Sequence, residues 1–143
     1  MQYLESFQLL TQEQEDGFLF RFNNPLLTTL YPFNLFRYRE LPRLDFESIT
    51  ILCGGNGSGK STILNVIAEK LNLRRSAVFN RTELFDEYVQ RCRYELCYGA
   101  AIPKGSRIIT SDDVFDYLWT FGISTMGSTA NGTNSIKPIL TIG

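Results

Sequence analysis

A short glycine-rich stretch followed by a lysine and a serine holds the residues best suited to chemistry. Gly54 is followed by four variable positions and then by Gly59, Lys60 and Ser61, the G-x-x-x-x-G-K-[ST] pattern of a phosphate-binding loop. Glycines let backbone N–H groups approach a polyanionic phosphate, and a helix beginning at the lysine adds the positive end of its dipole. We therefore expect Lys60 to contact the β- and γ-phosphates of a nucleotide and the Ser61 hydroxyl to bind Mg²⁺.

The predicted ligand-binding set covers the whole loop and the first residues of the following helix. The alternative is a chance match in a glycine-rich turn. The dinucleotide-binding pattern G-x-G-x-x-G is not completed in any register of these glycines. The residues expected to contact the nucleotide are Gly54, Gly55, Asn56, Gly57, Ser58, Gly59, Lys60, Ser61 and Thr62.

The segments on either side of the loop have the pattern that such a motif requires. Residues 48–53 form an apolar, β-branched run typical of a central strand buried on both faces, with Cys53 as a buried apolar residue. Apolar residues then recur at helical spacing over 60–73, and Asn72 is a plausible stop. This context predicts a strand, a phosphate loop and an amphipathic helix.

The N-terminal part of the chain is predicted to be a β leader over residues 1–47. Tyr3–Leu10 resembles a strand, and alternating phenylalanines up to Phe22 predict a second strand. Asp16-Gly17 is a strong turn dipeptide, so residues 1–22 are expected to form an antiparallel hairpin.

The leader, the apolar strand and the run GGNGSGKSTIL together resemble the nucleotide-binding domain of ABC-type ATPases, in particular their AAA-family and SMC-like members. The resemblance covers residues 1–73 and extends more loosely to 118. It implies an α/β P-loop NTPase fold with a mostly parallel sheet and an N-terminal antiparallel hairpin, incomplete within this chain. It also implies ATP and Mg²⁺ as cofactors, and an upstream aromatic residue stacked on adenine. The candidates for that residue are Tyr31, Phe33, Phe36 and Tyr38.

The second half of the chain gives weaker signals. A helical segment is predicted over 80–98, with Asn80 and Glu83 as a capping pair. Asp112 and Asp113 follow a short apolar stretch. They fit either a carboxylate that holds Mg²⁺ through water or the capped first turn of a helix.

The family pattern is only partly present. The chain lacks the signature sequence, an Asp-Glu pair after an apolar strand and the switch histidine, all of which the ABC-type family uses for hydrolysis. We therefore expect ATP binding, with hydrolysis requiring elements absent from this chain. The resemblance implies that a full-length relative hydrolyses ATP as a head-to-tail homodimer or with a partner ATPase half.

Two other functions remain open. A small P-loop phosphotransferase would use Asp112 or Asp113 on the metal and arginines such as Arg81, Arg91 and Arg93 on phosphates. A non-catalytic module would use ATP to order a surface for a partner.

Composition sets further bounds. A net charge of −1 over 143 residues gives no global argument for nucleic acid, and no apolar run has membrane-spanning length. Three cysteines without a metal spacing and no secretory signal favour a cytoplasmic setting. Residues 119–143 are rich in Gly, Ser, Thr and Asn, and we hypothesise that this tail is not native to the fold.

Overall fold

Six regular elements follow one another in the part of the chain that the computed structural model describes. That part comprises residues 2–22, 29–39, 41, 43–76, 78–110, 113–114 and 117–118, so the predicted tail at 119–143 lies outside it. No helix among these residues is long and apolar enough to cross a bilayer. The elements are β1 (Leu4–Gln8), α1 (Gln12–Arg21), β2 (Arg43–Asp45), α2 (Lys60–Lys70), α3 (Phe85–Arg91) and β3 (Arg93–Leu96).

The strands form one antiparallel sheet with the order β2-β1-β3. Phe7 in the central strand pairs with Leu44 on one side and with Tyr94 on the other. Its side chain is fully buried, whereas the neighbouring Ser6 hydroxyl donates a 3.0 Å hydrogen bond to the Glu95 carboxylate. The sheet therefore contributes the buried Phe7 side chain to the core, and the hydrogen bond from Ser6 to Glu95 links β1 to β3.

Aromatic rings connect this sheet to the helices. Phe33 stacks on Phe18 of α1 at 4.7 Å between ring centroids and meets Tyr88 of α3 edge-on at 5.0 Å. Val66 of α2 and Phe85 of α3 are fully buried in the same core. Because α2 contributes one face to this core, its N-terminus, with the glycine loop before it, is held in a fixed position.

The predicted fold class is wrong for the described residues. The sheet is antiparallel instead of mostly parallel, and parallel pairing is confined to an isolated bridge between Arg74 and Arg107. The stretch 48–53 is not a strand here, and both Ile49 and Ile51 are 77% exposed. Cys53 is exposed as well. An apolar run becomes a central strand only when strands flank it, and no described segment takes those flanking positions.

The predicted N-terminal hairpin is also wrong in its second half, which is the helix α1. Thr11 and Gln14 form a capping box, in which Thr11 Oγ1 accepts from the Gln14 N–H at 3.3 Å and Gln14 Oε1 accepts from the Thr11 N–H at 3.0 Å. The rings of Phe18 and Phe22, one helical turn apart, stack at 5.2 Å. Gly17, expected in a turn, lies within the helix because the cap and the packed aromatic face outweigh its turn propensity.

The predicted helical segment 80–98 divides into a short helix and a strand. The helix α3 begins after Leu84, and neither Asn80 nor Glu83 caps it. It ends at Arg91, after which the chain pairs with β1 as β3. Cys92 lies buried at the junction, where burial raises the pKa of its thiol to about 12. Strand pairing with β1 has overridden the local helical pattern.

Candidate phosphate-binding site

The glycine-rich loop lies at the surface immediately before α2, which begins at the residue that the motif predicts. Gly54, Gly57 and Gly59 have φ values of 154°, 74° and 90°, which L-residues with a side chain rarely adopt. Most of the loop is exposed, and Ser58, Gly59 and Lys60 are half-buried. The glycines are therefore required by the backbone path of the loop.

The Lys60 ammonium is held across the loop. Its Nζ donates to the Gly54 carbonyl at 2.6 Å, to the Gly55 carbonyl at 2.8 Å and to the Ser58 hydroxyl at 3.1 Å. All three acceptors are in the loop itself, and none is a carboxylate. The positive charge is thus fixed in position beside the loop without being neutralised by a protein anion in these contacts.

The N-terminus of α2 differs from those of the other two helices. Its N-cap is Gly59, which offers no side-chain oxygen, and its first turn contains no acidic residue. By contrast, α1 has a threonine cap with acids in its first turn, and α3 also begins with acids. The positive end of α2 therefore lacks the side-chain compensation that helix N-termini usually carry.

The segment 29–39 supports the loop from below. A β-carbon on Gly59 would lie 2.6 Å from Cε1 of Phe36, so ring and backbone are in close contact. Arg39 Nη1 donates to the Ser58 carbonyl at 2.5 Å. Sequence reasoning missed Arg39, whose only signal was its place in a local group of arginines. Together these contacts fix the back of the loop.

Thr62 is also tied to this segment. The Tyr31 hydroxyl donates to Thr62 Oγ1 at 3.0 Å, and the Thr62 residue is only 8% exposed. The Thr82 hydroxyl in turn donates to the Tyr31 carbonyl. Thr62, predicted to contact the nucleotide, therefore holds α2 against segment 29–39 in this arrangement, whereas the neighbouring Ser61 is exposed.

A buried carboxylate anchors the same segment to α1. Glu15 is fully buried, and its Oε2 accepts from the Asn34 N–H at 2.8 Å. Oε1 has no hydrogen-bond partner among the described residues. Burial raises the pKa of Glu15, and the Asn34 N–H and the Arg37 charge only partly oppose this. Sequence reasoning missed Glu15, which stands just before Asp16-Gly17, the predicted turn of the hairpin, and resembles an ordinary exposed acid there.

The four aromatic candidates for adenine stacking occupy different environments. Phe33 and Phe36 are buried in the core. Tyr31 is half-buried and engaged with Thr62 and with the Phe85 ring. Tyr38 is 79% exposed, and the Arg37 guanidinium lies 5.5 Å from its ring centroid. Of the four, Tyr38 has a ring face accessible to a ligand.

The hydrogen bonds and ion pairs given for the weaker catalytic candidates in the described part of the chain are with residues outside the glycine-rich loop. Asp112 lies outside the described residues. Asp113 Oδ2 accepts from the Thr110 N–H at 2.7 Å and from the Thr110 hydroxyl at 2.8 Å, which is a helix-capping arrangement. Arg81 pairs with Glu69 and Asp86. Arg91 pairs with Glu87, and Arg93 is exposed on β3.

Comparisons with known proteins do not assign the chain to a family. The chain matches no protein-family model, no curated protein and no solved structure. Among the described residues, no group of three or more His, Cys, Asp or Glu side chains is placed to hold a metal ion. The candidate site rests on the geometry of the loop and of α2.

Proposed function

We propose that the loop from Gly54 to Ser61 binds the phosphate groups of ATP together with Mg²⁺. The observation that carries the proposal is the Lys60 ammonium, held by loop carbonyls beside the uncapped, acid-free N-terminus of α2. A phosphate brought to this point meets a cation and the unpaired N–H groups of a helix start together. Both interactions favour an anion and disfavour a cation.

Phosphate binding would require little rearrangement of the protein. Phosphate oxygens are charged acceptors, so their hydrogen bonds to the ammonium are stronger than those that Lys60 now donates to neutral oxygens. The loop backbone already has the left-handed conformations at Gly57 and Gly59. Phe36 and Arg39 hold the loop from behind. The ordering of the loop is therefore largely complete before a ligand arrives.

The metal would be held by Ser61 and the nucleotide jointly. The Ser61 hydroxyl is exposed on the first turn of α2, next to Lys60. Mg²⁺ binds oxygen ligands and commonly takes one or two from the protein and the rest from phosphates and water. We infer that Ser61 supplies the protein oxygen and that Mg²⁺ enters with ATP.

The base would be recognised by Tyr38. This ring is exposed, and the next residue, Arg39, is bonded to Ser58 in the loop. Stacking on an aromatic ring suits adenine. The guanidinium of Arg37, which lies over the Tyr38 ring, adds a favourable cation–π contribution. Tyr38 is therefore the residue proposed to stack on the adenine.

We propose that hydrolysis of ATP depends on catalytic groups other than Asp113 and the residues of the glycine-rich loop. Asp113 is occupied by Thr110, and phosphoryl transfer to water needs a residue that positions the attacking water. We propose that the chain acts as the N-terminal part of an ABC-type ATPase, in the cytoplasm, with a head-to-tail homodimer partner or another ATPase half completing the site.

Amide NMR on the ¹⁵N-labelled chain tests the location of the site. Titration with ATP and Mg²⁺ should shift the amide signals of Gly57, Gly59 and Ser61 to saturation, because their N–H groups gain phosphate acceptors. Replacing Mg²⁺ by EDTA should weaken binding to the native chain but change it little in Ser61→Ala, which keeps the Lys60 contacts. Shifts confined to residues outside 54–62 would contradict the proposal.

A further inference from the structure

A cavity separate from the glycine-rich loop is lined by three arginines. It has a volume of about 480 Å³, and its lining residues are Arg74, Arg75, Ser76, Gly105 and Arg107. None of these described lining residues is acidic. The described lining is therefore polar and positively charged, and it would accept a ligand of opposite charge.

Backbone pairing brings two of these arginines together. The Arg74 N–H donates to the Ser106 carbonyl, and the Ile108 N–H donates to the Arg74 carbonyl, both at 2.9 Å. These bonds form a parallel bridge between Arg74 and Arg107. Two exposed guanidinium groups are thus held near each other by the main chain in spite of their mutual repulsion.

The third arginine is oriented by α2 and by an aromatic ring. Arg75 Nη1 donates to Asn65 Oδ1 at 2.5 Å, and Asn65 is only 8% exposed. The Arg75 Cζ atom lies 4.3 Å from the centroid of the Phe79 ring. The Arg75 side chain is therefore positioned before any ligand binds, which lowers the entropy cost of binding.

Arg74 and Arg107 differ from the ion-paired arginines elsewhere in the described part of the chain. Elsewhere, Arg37, Arg43, Arg81 and Arg91 each form an ion pair with a carboxylate. In the described part of the chain, no carboxylate forms an ion pair with Arg74 or Arg107, and neither side chain has a hydrogen-bond partner there. Two neighbouring guanidinium groups with no counter-ion among the described residues, those of Arg74 and Arg107, suit the planar, bidentate recognition of phosphate.

We propose that this cavity is a second anion site, which binds a phosphate or diphosphate group of a small phosphorylated ligand. Arg74 and Arg107 supply the exposed guanidinium groups that would bind the ligand, and Arg75 lines the cavity as a third positive charge in a fixed position. The size of the cavity matches a small molecule, and the described lining has no exposed aromatic ring on which the bases of a nucleic acid strand could stack. The proposal does not depend on nucleotide binding by the glycine loop.

The test is calorimetric titration of pyrophosphate, without Mg²⁺, into the full chain carrying Lys60→Ala. That substitution removes the cation of the glycine loop and leaves the arginine cavity intact. Adding Arg107→Ala should weaken the remaining saturable binding about tenfold or more, as expected for losing charge-assisted hydrogen bonds. Lys104→Ala is the matched control. Lys104 is exposed in the turn next to Gly105, but it is not among the residues that line the cavity. It should change the affinity less than about twofold.

Three results would overturn the proposal. The Lys60→Ala chain could fail to bind pyrophosphate. Lys104→Ala could weaken binding as much as Arg107→Ala, which would indicate diffuse charge only. Binding could instead be seen with a single-stranded oligonucleotide and not with pyrophosphate. Loss of ATP binding by Lys60→Ala alone concerns only the glycine loop, so the two proposals fail separately.

Discussion

The ring of Phe36 lies directly beneath Gly59, and a β-carbon on that glycine would come within 2.6 Å of the ring. Gly59 also has a φ of 90°, so both its surroundings and its backbone conformation require glycine. This contact joins the start of α2 to segment 29–39. It makes the shape of the glycine-rich loop depend on the aromatic core.

Gly59→Ala should lower the free energy of unfolding by about 2 to 4 kcal/mol, because a left-handed alanine and a contact with Phe36 both cost energy. Urea denaturation measures this loss. The matched control is Gly17→Ala in α1, where a β-carbon meets nothing within 4 Å. It should stabilise the chain by about 0.5 to 1 kcal/mol through helix propensity. Equal effects at the two positions would contradict the account of Gly59.

Tyr38→Ala should weaken ATP binding about tenfold, because the base loses its stacking partner, while the affinity for pyrophosphate should stay the same. Titration of both ligands into the same variant separates the base contribution from the phosphate contribution. Tyr98→Ala, which removes another fully exposed tyrosine, should change neither. A parallel loss of ATP and pyrophosphate affinity in Tyr38→Ala would rule out a stacking role.

Glu15 should give the chain a pH-dependent stability. Burial raises its pKa above the ordinary 4.5, so the folded state holds this proton more tightly than the unfolded state. The stability is therefore fully present below pH 4.5 and falls as pH rises through the folded-state pKa. Glu15→Gln keeps an acceptor for the Asn34 N–H but has no carboxyl group to titrate. The stability of this variant should therefore not fall with rising pH in this way.

Urea unfolding from pH 4 to pH 8 measures the effect. The control is Glu13→Gln on the exposed side of α1, which should retain the native pH profile. An unchanged slope in Glu15→Gln would show that other groups are responsible.

The hydrogen bond between Tyr31 and Thr62 should contribute to stability. Tyr31→Phe should cost about 1 kcal/mol, because the Thr62 hydroxyl is buried and loses its partner. A double-mutant cycle with Thr62→Val isolates the pair, and a coupling energy near about 1 kcal/mol is expected. Simple additivity of the two single changes would contradict the contact.

The sequence anticipated the local backbone features of the candidate site better than its surroundings. The unusual conformations of the loop glycines and the start of α2 at Lys60 follow from short-range rules, because glycine conformations and helix starts depend on neighbouring residues. The left-handed Asn72 just beyond α2 likewise matches the expected helix stop.

The elements that failed depend on distant partners. The run 48–53 has strand propensity, but the described residues provide no flanking strands for it. The segment after Arg91 has helical periodicity, but it forms β3 because it pairs with the edge of β1 that β2 leaves open. The ties from Tyr31, Phe36 and Arg39 to the loop and α2 leave no signal in a single sequence, since they join segments far apart along the chain.

The most direct test of phosphate binding by Lys60 is calorimetric titration of Mg²⁺-ATP into the native chain and into Lys60→Ala, with circular dichroism to check that both are folded. We expect saturable binding by the native chain and an affinity lower by about a hundredfold or more in the variant, because several charge-assisted hydrogen bonds disappear together. Equal affinity of the two folded proteins for Mg²⁺-ATP would contradict this expectation.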